Sequence, residues 1–207
     1  MKIMPEIVVA TGNAGKFKEL KELLAGLPLH FKSLNDFANV VEVEETGITF
    51  AENAVIKAHS YALMTQTWSL ADDSGLEVET LGGAPGVFSA RYAGEKASDR
   101  QNIEKLLRQL KETPDLRRAA RFVCAMAIAD EKGEIKFLTE GVCNGKIALN
   151  PFGTNGFGYD SIFVPEGFNQ TFGELSGETK QKISHRARAM EKIVAFLRDF
   201  HALSLDR

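Results

Sequence analysis

Two carboxylates stand side by side in Ala71-Asp72-Asp73-Ser74-Gly75, directly after the apolar stretch around Trp68 and Leu70. Adjacent negative charges repel, and a plain hydrophobic core disfavours both. An apolar run that ends in an acidic pair and a Ser-Gly turn signal reads as a strand carrying its charges to the rim of a sheet. A hard divalent cation such as Mg²⁺ would relieve the repulsion, and Mg²⁺ commonly arrives with phosphates.

The flanking segments predict what surrounds that strand. Glu6 to Ala10 is a short apolar, β-branched run and reads as a buried strand. Asn13 is placed to cap a helix from Ala14 to about Ala25, with Phe17, Leu20, Leu23 and Leu24 on one face. Leu29 to Leu34 reads as a second strand and Glu42 to Gly47 as an acidic loop. Thr49-Phe50-Ala51-Glu52 is a capping box opening a helix to about Met64, and Trp68 to Ala71 is the strand that leads into the acidic pair. Gly82 to Gly86 has tight-turn chemistry, and Ser98 to Gln101 is a second capping box, opening a helix to about Lys111. Arg121 to Ala129 and Glu134 to Val142 flank a turn at Asp130-Glu131-Lys132-Gly133 and predict a hairpin. Asn150 to Gly158 is a Gly-rich loop, Ser161 to Val164 a strand, and Ser184 the cap of a last helix burying Ala187, Met190, Ile193, Val194 and Leu197. Early alternation and a late hairpin predict an α/β fold. Its sheet is mixed, part parallel and part antiparallel, flanked by helices, with a cleft where loops converge.

With 207 residues, 44% of them hydrophobic, the chain has ample material for one sizeable domain, read as spanning 1–207. A net charge of −3 argues against a nucleic-acid polymer as partner while leaving room for a local basic pocket. No run reaches the ~18 apolar residues of a membrane span. Met1-Lys2-Ile3-Met4-Pro5 lacks the apolar region of a signal peptide, so a cytoplasmic protein is expected. The predicted hairpin sets Cys143 opposite Ala120 rather than Cys124, which points to two buried thiols.

Four other clusters carry candidate chemistry. Thr11-Gly12-Asn13-Ala14-Gly15-Lys16 joins the first strand to the first helix. Backbone N–H groups at a helix start favour anions, and Thr11, Asn13 and Lys16 add donors, so a phosphate site is physically sensible. The alternative is an Asn-capped turn with a solvated lysine. The spacing is not that of a Walker loop, because Phe17 stands where a metal-binding hydroxyl is needed. Glu44-Glu45 precedes Asn53 and Lys57, which lie at i,i+4 and face the same way. Gly153-Thr154-Asn155-Gly156-Phe157-Gly158-Tyr159-Asp160 reverses the dinucleotide glycine order but offers two aromatics for stacking a flat base, or for the core. Lys180, His185 and Arg186 gather cationic or titratable donors before a helix, against its dipole, which costs stability unless something uses them.

Taken in order, these segments resemble one family, the non-standard purine nucleoside triphosphate pyrophosphatases, also described as inosine triphosphatase-like or XTP/dITP diphosphatases. The matching stretches include Thr11-x-Asn13-x-x-Lys16, Glu44-Glu45-Thr46-Gly47, Thr49-Phe50-x-Glu52-Asn53-Ala54-x-x-Lys57-Ala58 and Ala71-Asp72-Asp73-Ser74-Gly75. They continue through Leu81 to Gly86, Ser89-Ala90-Arg91-Tyr92, Gly156-Phe157-Gly158-Tyr159-Asp160 and Ile183-Ser184-His185-Arg186. One departure is Ser161, where the family usually has proline.

The resemblance implies a long twisted mixed sheet with two lobes, a central nucleotide cleft (the ITPase-like fold) and a homodimer. It implies hydrolysis of the α–β phosphoanhydride of ITP, dITP and XTP to the monophosphate and pyrophosphate with Mg²⁺. By the same likeness Glu44 and Asp73 hold the metal, and Asp73 is the catalytic acid/base, assisted by Lys16 and Lys57. Thr11, Gly12, Asn13, Ala14, Gly15 and Lys16 hold the triphosphate. Ser74, Phe157, Gly158, Tyr159, Asp160, Lys180, His185 and Arg186 contact substrate. Two other readings stay open at this level: a related pyrophosphatase for modified pyrimidine nucleotides, and a nucleotide-binding module without catalysis.

Overall fold

The computed structural model describes residues 6–24, 29–113 and 117–205, the last five by backbone alone. The expected helix end at Ala25 and the reading of Met1 to Pro5 lie outside these residues. In chain order the regular elements are β1 (Ile7–Val9), α1 (Ala14–Leu23), β2 (Phe31–Ser33), α2 (Phe50–Thr65) and β3 (Trp68–Val78). Then come α3 (Asp99–Glu112), β4 (Ala119–Ala129), β5 (Ile135–Ile147), β6 (Phe163–Pro165), α4 (Gly177–Ile183) and α5 (His185–Leu205).

The strands form one six-stranded mixed sheet in the order β2-β1-β3-β4-β5-β6. β1 runs parallel to both neighbours, with Ile7 opposite Phe31 and Trp68. Parallel neighbours need crossovers, and α1 and α2 provide them. β5 and β6 are antiparallel, with Gly145 opposite Pro165. The mixed character expected from early alternation and a late hairpin is therefore present.

The predicted caps form as their chemistry requires. Asn13 accepts the Lys16 N–H, and Ser98 and Gln101 make a reciprocal capping box. At α2, Thr49 accepts the Glu52 N–H, but the Glu52 carboxylate turns to the Ile48 N–H at 2.7 Å instead of the cap residue.

Two corrections concern β3 and α4. The strand does not stop at the acidic pair: it continues through Ser74 and Gly75 to Val78, so Asp72 and Asp73 sit mid-strand. Ser74-Gly75 is a turn signal in isolation, yet burial of Leu76 and Val78 holds the chain extended there. α4 escaped the pattern reading because Gly-Glu-Thr-Lys-Gln-Lys-Ile is short and polar, with no apolar period to detect.

The chain divides into two compact units. The first comprises Met1–Asp73, Cys124–Gly141 and Arg186–Arg207, and the second Ser74–Val123 and Val142–His185. In the first, Ile7 and Val9 of β1, Trp68 and Leu70 of β3 and Met126 and Ile128 of β4 bury against Leu20 and Leu24 and against Met190, Ile193 and Leu197 of α5. The second is built on Leu76 and Val78, Leu106 and Leu110 of α3, and an aromatic cluster of Phe122, Phe163 and Phe172.

Both cysteines are free and buried. Burial, reinforced by the Asp72 charge, pushes the Cys124 thiol up to about 12, leaving almost no thiolate at neutral pH. We expect a thiol reagent such as DTNB to titrate Cys124 only when denaturant unfolds the chain. Rapid labelling of Cys124 in native buffer would contradict this burial.

Candidate functional site

Successive residues of a strand point to opposite faces, and this rule separates the two aspartates. Asp72 shares its face with Trp68 and Leu70, and so turns toward α1 and α5. Its Oδ2 lies 3.2 Å from Lys16 Nζ and 3.6 Å from Arg186 Nη2. Arg186 also donates through Nη1 to Glu19, one helical turn beyond Lys16 on α1. The result is a chain of alternating charge, Lys16–Asp72–Arg186–Glu19, whose two central side chains are 1% and 2% exposed. Burial alone would raise the Asp72 carboxyl, but Lys16, Arg186 and Lys57 outweigh it and hold the group well below the usual carboxylate range. Asp72 is thus a permanent anion in the first unit.

Asp73 turns the other way, toward α2. Asn53 Nδ2 donates to its Oδ2 at 3.1 Å, and Lys57 Nζ stands 3.4 Å from its Oδ1. The same ammonium pairs with Glu45 at 2.5 Å, so Lys57 lies between two carboxylates. Asn53 and Lys57 reach one point because residues four apart share a helix face. Asn53 also accepts the Gly47 N–H at 2.7 Å, which ties the acidic loop to the same spot. A Cβ at Gly47 would come within 2.6 Å of Glu52 Cβ, so this close approach requires glycine. Here burial prevails: it raises the Asp73 carboxyl, Glu45 adds to it, and Lys57 and Lys16 only partly offset them. Burial would lower Lys57, but Asp73, Asp72 and Glu45 together raise it, so the ammonium persists. A carboxylate whose proton affinity is raised, held in place by an amide and a cation, is suited to general-base work.

The loop Thr11 to Lys16 leads into α1, with Gly12, Asn13 and Ala14 exposed. Thr11 Oγ1 accepts the Asn13 N–H at 3.2 Å, and Asn13 caps the helix, so the loop is pre-shaped. It borders a cavity of about 720 Å³, also lined by Phe17, Asn35, Phe37 and Tyr61.

The remaining predicted groups belong to the second unit, apart from Glu44 and Arg186. Asp160 Oδ2 accepts from Lys180 Nζ at 2.5 Å and from the Phe157 N–H at 2.9 Å. Lys180 Nζ also lies 5.1 Å from the Phe157 ring centroid and 5.6 Å from that of Phe172. Gly156 has φ +77°, and a Cβ there would lie 1.9 Å from Asp160 Oδ2, so the loop closes on Asp160 only with glycine. Gly158 donates to Asp99, and the buried Tyr159 donates to the Ser89 carbonyl at 2.9 Å. His185 is buried with its ring stacked on Phe122 at 4.7 Å. Ser74 is half-buried on β3.

The structure thus assembles Lys16, Lys57 and Asp73 with Asp72 in one unit, and Phe157 to Asp160 with Lys180 in the other. Glu44 is exposed on its loop, and its neighbour Glu45 makes the Lys57 contact. Arg186 is engaged with Asp72 and Glu19, an anionic setting that offsets the cost of a cation in the first turn of α5. Asn53 and Glu45 stood in a candidate cluster without an assigned role, and Glu19 was not predicted at all. The four-residue spacing of Asn53 and Lys57, and the three-residue spacing of Lys16 and Glu19, were the signals available.

Asp73, Glu45 and the Asn53 amide are hard oxygen donors of the kind Mg²⁺ takes, and the Lys57 ammonium marks a point where these carboxylates accept positive charge. Among the described residues no three His, Cys, Asp or Glu side chains are grouped as a metal cage. No helix among the described residues is long and apolar enough to cross a membrane.

Known proteins resemble this chain over nearly its whole length. The model of the Ham1 family matches residues 7–196. A dITP/XTP pyrophosphatase of Bacillus cereus is 48% identical over 194 residues, covering 93% of this chain and 95% of the relative. The dITP/XTP pyrophosphatase of Bacillus subtilis is 47% identical over 197 residues, 95% of this chain and 99% of that protein. Among solved structures, a HAM1 protein from Coxiella burnetii superposes with a TM-score of 0.88 at 43% identity, covering 95% of this chain and 100% of that one. The Staphylococcus aureus Ham1 protein gives 0.83 at 43% identity, over 94% and 98%.

Proposed function

The chain belongs to the Ham1 family, and on that premise we propose that it is a Mg²⁺-dependent pyrophosphohydrolase of non-standard purine nucleoside triphosphates. Its substrates are dITP, XTP and ITP, and the whole chain acts as one catalytic domain. The observation that carries the reading is Asp73 held by Asn53 and Lys57, with Glu45 on the same Lys57 ammonium, in the same unit as the Thr11 to Lys16 loop. The names of the relatives support the substrate class.

In this mechanism the loop N–H groups and Lys16 hold the triphosphate. Asp73 takes a proton from a water that attacks the α-phosphorus. The bond from that phosphorus to the α–β bridging oxygen breaks, and pyrophosphate leaves with the nucleoside monophosphate behind. Lys16 and Lys57 offset charge that builds on the leaving group. Asn53 orients the Asp73 carboxylate. Mg²⁺ held by Asp73 with the acidic pair Glu44-Glu45 would supply further charge neutralisation at the phosphate oxygens. Phe157 to Asp160, Lys180 and His185 take the base, whose 6-oxo group accepts hydrogen bonds where adenine would donate. The proposal includes a cytoplasmic homodimer, and light scattering tests the dimer.

Incubation with dITP and Mg²⁺ is expected to yield dIMP and pyrophosphate, and EDTA is expected to abolish turnover. Formation of dIDP with orthophosphate would refute the reaction, and full activity in EDTA would remove the metal from it. A panel including modified pyrimidine triphosphates decides between the purine and pyrimidine readings.

A further inference from the structure

The Gly-rich loop 153–160 has to present Phe157 in one orientation if it is to stack a base, yet Gly153, Gly156 and Gly158 all adopt positive φ. Such a segment orders itself poorly, because glycine loses the most backbone freedom on folding. Asn155 is tied to the Gly173 and Leu175 carbonyls, and three further hydrogen bonds, in which residues 157–159 donate, hold the stretch around Phe157 within the second unit. Asp160 takes the Phe157 N–H from inside the loop. Tyr159 reaches the Ser89 carbonyl, and Ser89 Oγ in turn accepts the Leu76 N–H of β3 at 2.9 Å. The third bond comes from a residue that belongs to neither the loop nor the reaction. Asp99 Oδ2 accepts the Gly158 N–H at 2.6 Å.

Asp99 is the first residue of α3, directly after the Ser98 cap. Its ordinary role there is to complement the helix dipole. The contact with Gly158 adds a charge-assisted bond to the backbone amide immediately after Phe157, at a left-handed glycine with φ +59°.

We propose that Asp99 is a positioning residue for base recognition: it sets the Phe157-Gly158 backbone and so the face offered to the purine. The proposal rests on the reading of 153–160 as the base-binding loop. It acts on the base and not on the phosphates.

The test uses steady-state kinetics with dITP, and inorganic tripolyphosphate as a competing phosphate-only probe. Asp99→Ala is expected to raise KM for dITP about tenfold, with kcat within about twofold of wild type, the scale of one charge-assisted hydrogen bond. Asp99→Asn removes the charge but keeps an acceptor oxygen, so it is expected to restore most of the KM. The inhibition constant of tripolyphosphate stays unchanged in both variants. Equal KM increases in Asn and Ala would assign Asp99 to the helix dipole alone and overturn the proposal. So would a parallel weakening of tripolyphosphate, which marks general loosening. Phe157→Ala separates the two layers of the argument. If it leaves KM for dITP unchanged, the base-loop reading itself falls. If it raises KM and Asp99→Ala does not, only the role of Asp99 falls.

Discussion

Asp73→Asn is expected to lower kcat by roughly three orders of magnitude, within the range a general base supplies, while leaving the fold intact. The amide has nearly the shape of the carboxylate and can still accept from Asn53, but it cannot take the proton of the attacking water. Stability should barely change, and the direction of the Asp73 shift says why. Folding raises this pKa, so the group favours the folded state at pH below its unfolded value and loses that advantage as pH rises through the folded value. At pH 7 the ionised form is therefore no asset to stability, and Lys57 keeps Glu45 as partner after the substitution. Tm should stay within about 4 °C of wild type, about 1 kcal/mol for a chain of this length. Single-turnover hydrolysis of dITP, paired with a thermal melt, checks both halves. A kcat within tenfold of wild type would remove Asp73 as the base.

Asp72→Asn, one residue away, is expected to do its first damage to stability. It leaves the Lys16 and Arg186 cations facing a neutral amide in a buried site, and breaking such a cluster by removing one partner costs about 3–5 kcal/mol. That corresponds to a fall in Tm on the order of 10 °C. The pH dependence follows from the direction of the shift. Folding lowers the Asp72 pKa, so its contribution is complete above the unfolded value near 4 and fades as pH falls through the depressed folded value. The stability gap between wild type and variant should be flat from about pH 5 to 8, then close in stronger acid. Urea titrations at pH 5, 7 and 8 measure it. A gap under about 1 kcal/mol at all three would mean that water satisfies both cations and that the buried charge chain is not holding the site together.

The opposite behaviour of these neighbours explains how much of the site was readable in advance. The Asn13 cap, the helices opened by Thr49 and Ser98 and the i,i+4 pair Asn53 and Lys57 are local features, set by spacing and turn chemistry, and each stands where the pattern puts it, whereas the acidic pair lies mid-strand and not at the strand end. Only the family resemblance singled out Asp73, and which aspartate meets which partners was not legible in the local pattern. That depends on the continuation of β3 past Ser74-Gly75, on strand parity, and on which helices cover each face. Arg186 shows the same limit. Its position before a long helix marked it as a donor for a ligand, but its partners Glu19 and Asp72 lie 167 and 114 residues away along the chain (186 − 19 and 186 − 72). No local pattern carries that information.

The order of amino acids alone therefore determined the mixed α/β class, the positions of the caps and the identity of the charged groups, because these depend on neighbours within a few residues. Folding decided their chemistry. Alternation along β3 sends Asp72 to Lys16 and Arg186, where surrounding cations hold its proton off. It sends Asp73 to Asn53 and Lys57, where burial outweighs the cation and raises its affinity for a proton. Two identical side chains became a fixed anion and a carboxyl with raised proton affinity because a pleated strand turns consecutive residues into different surroundings.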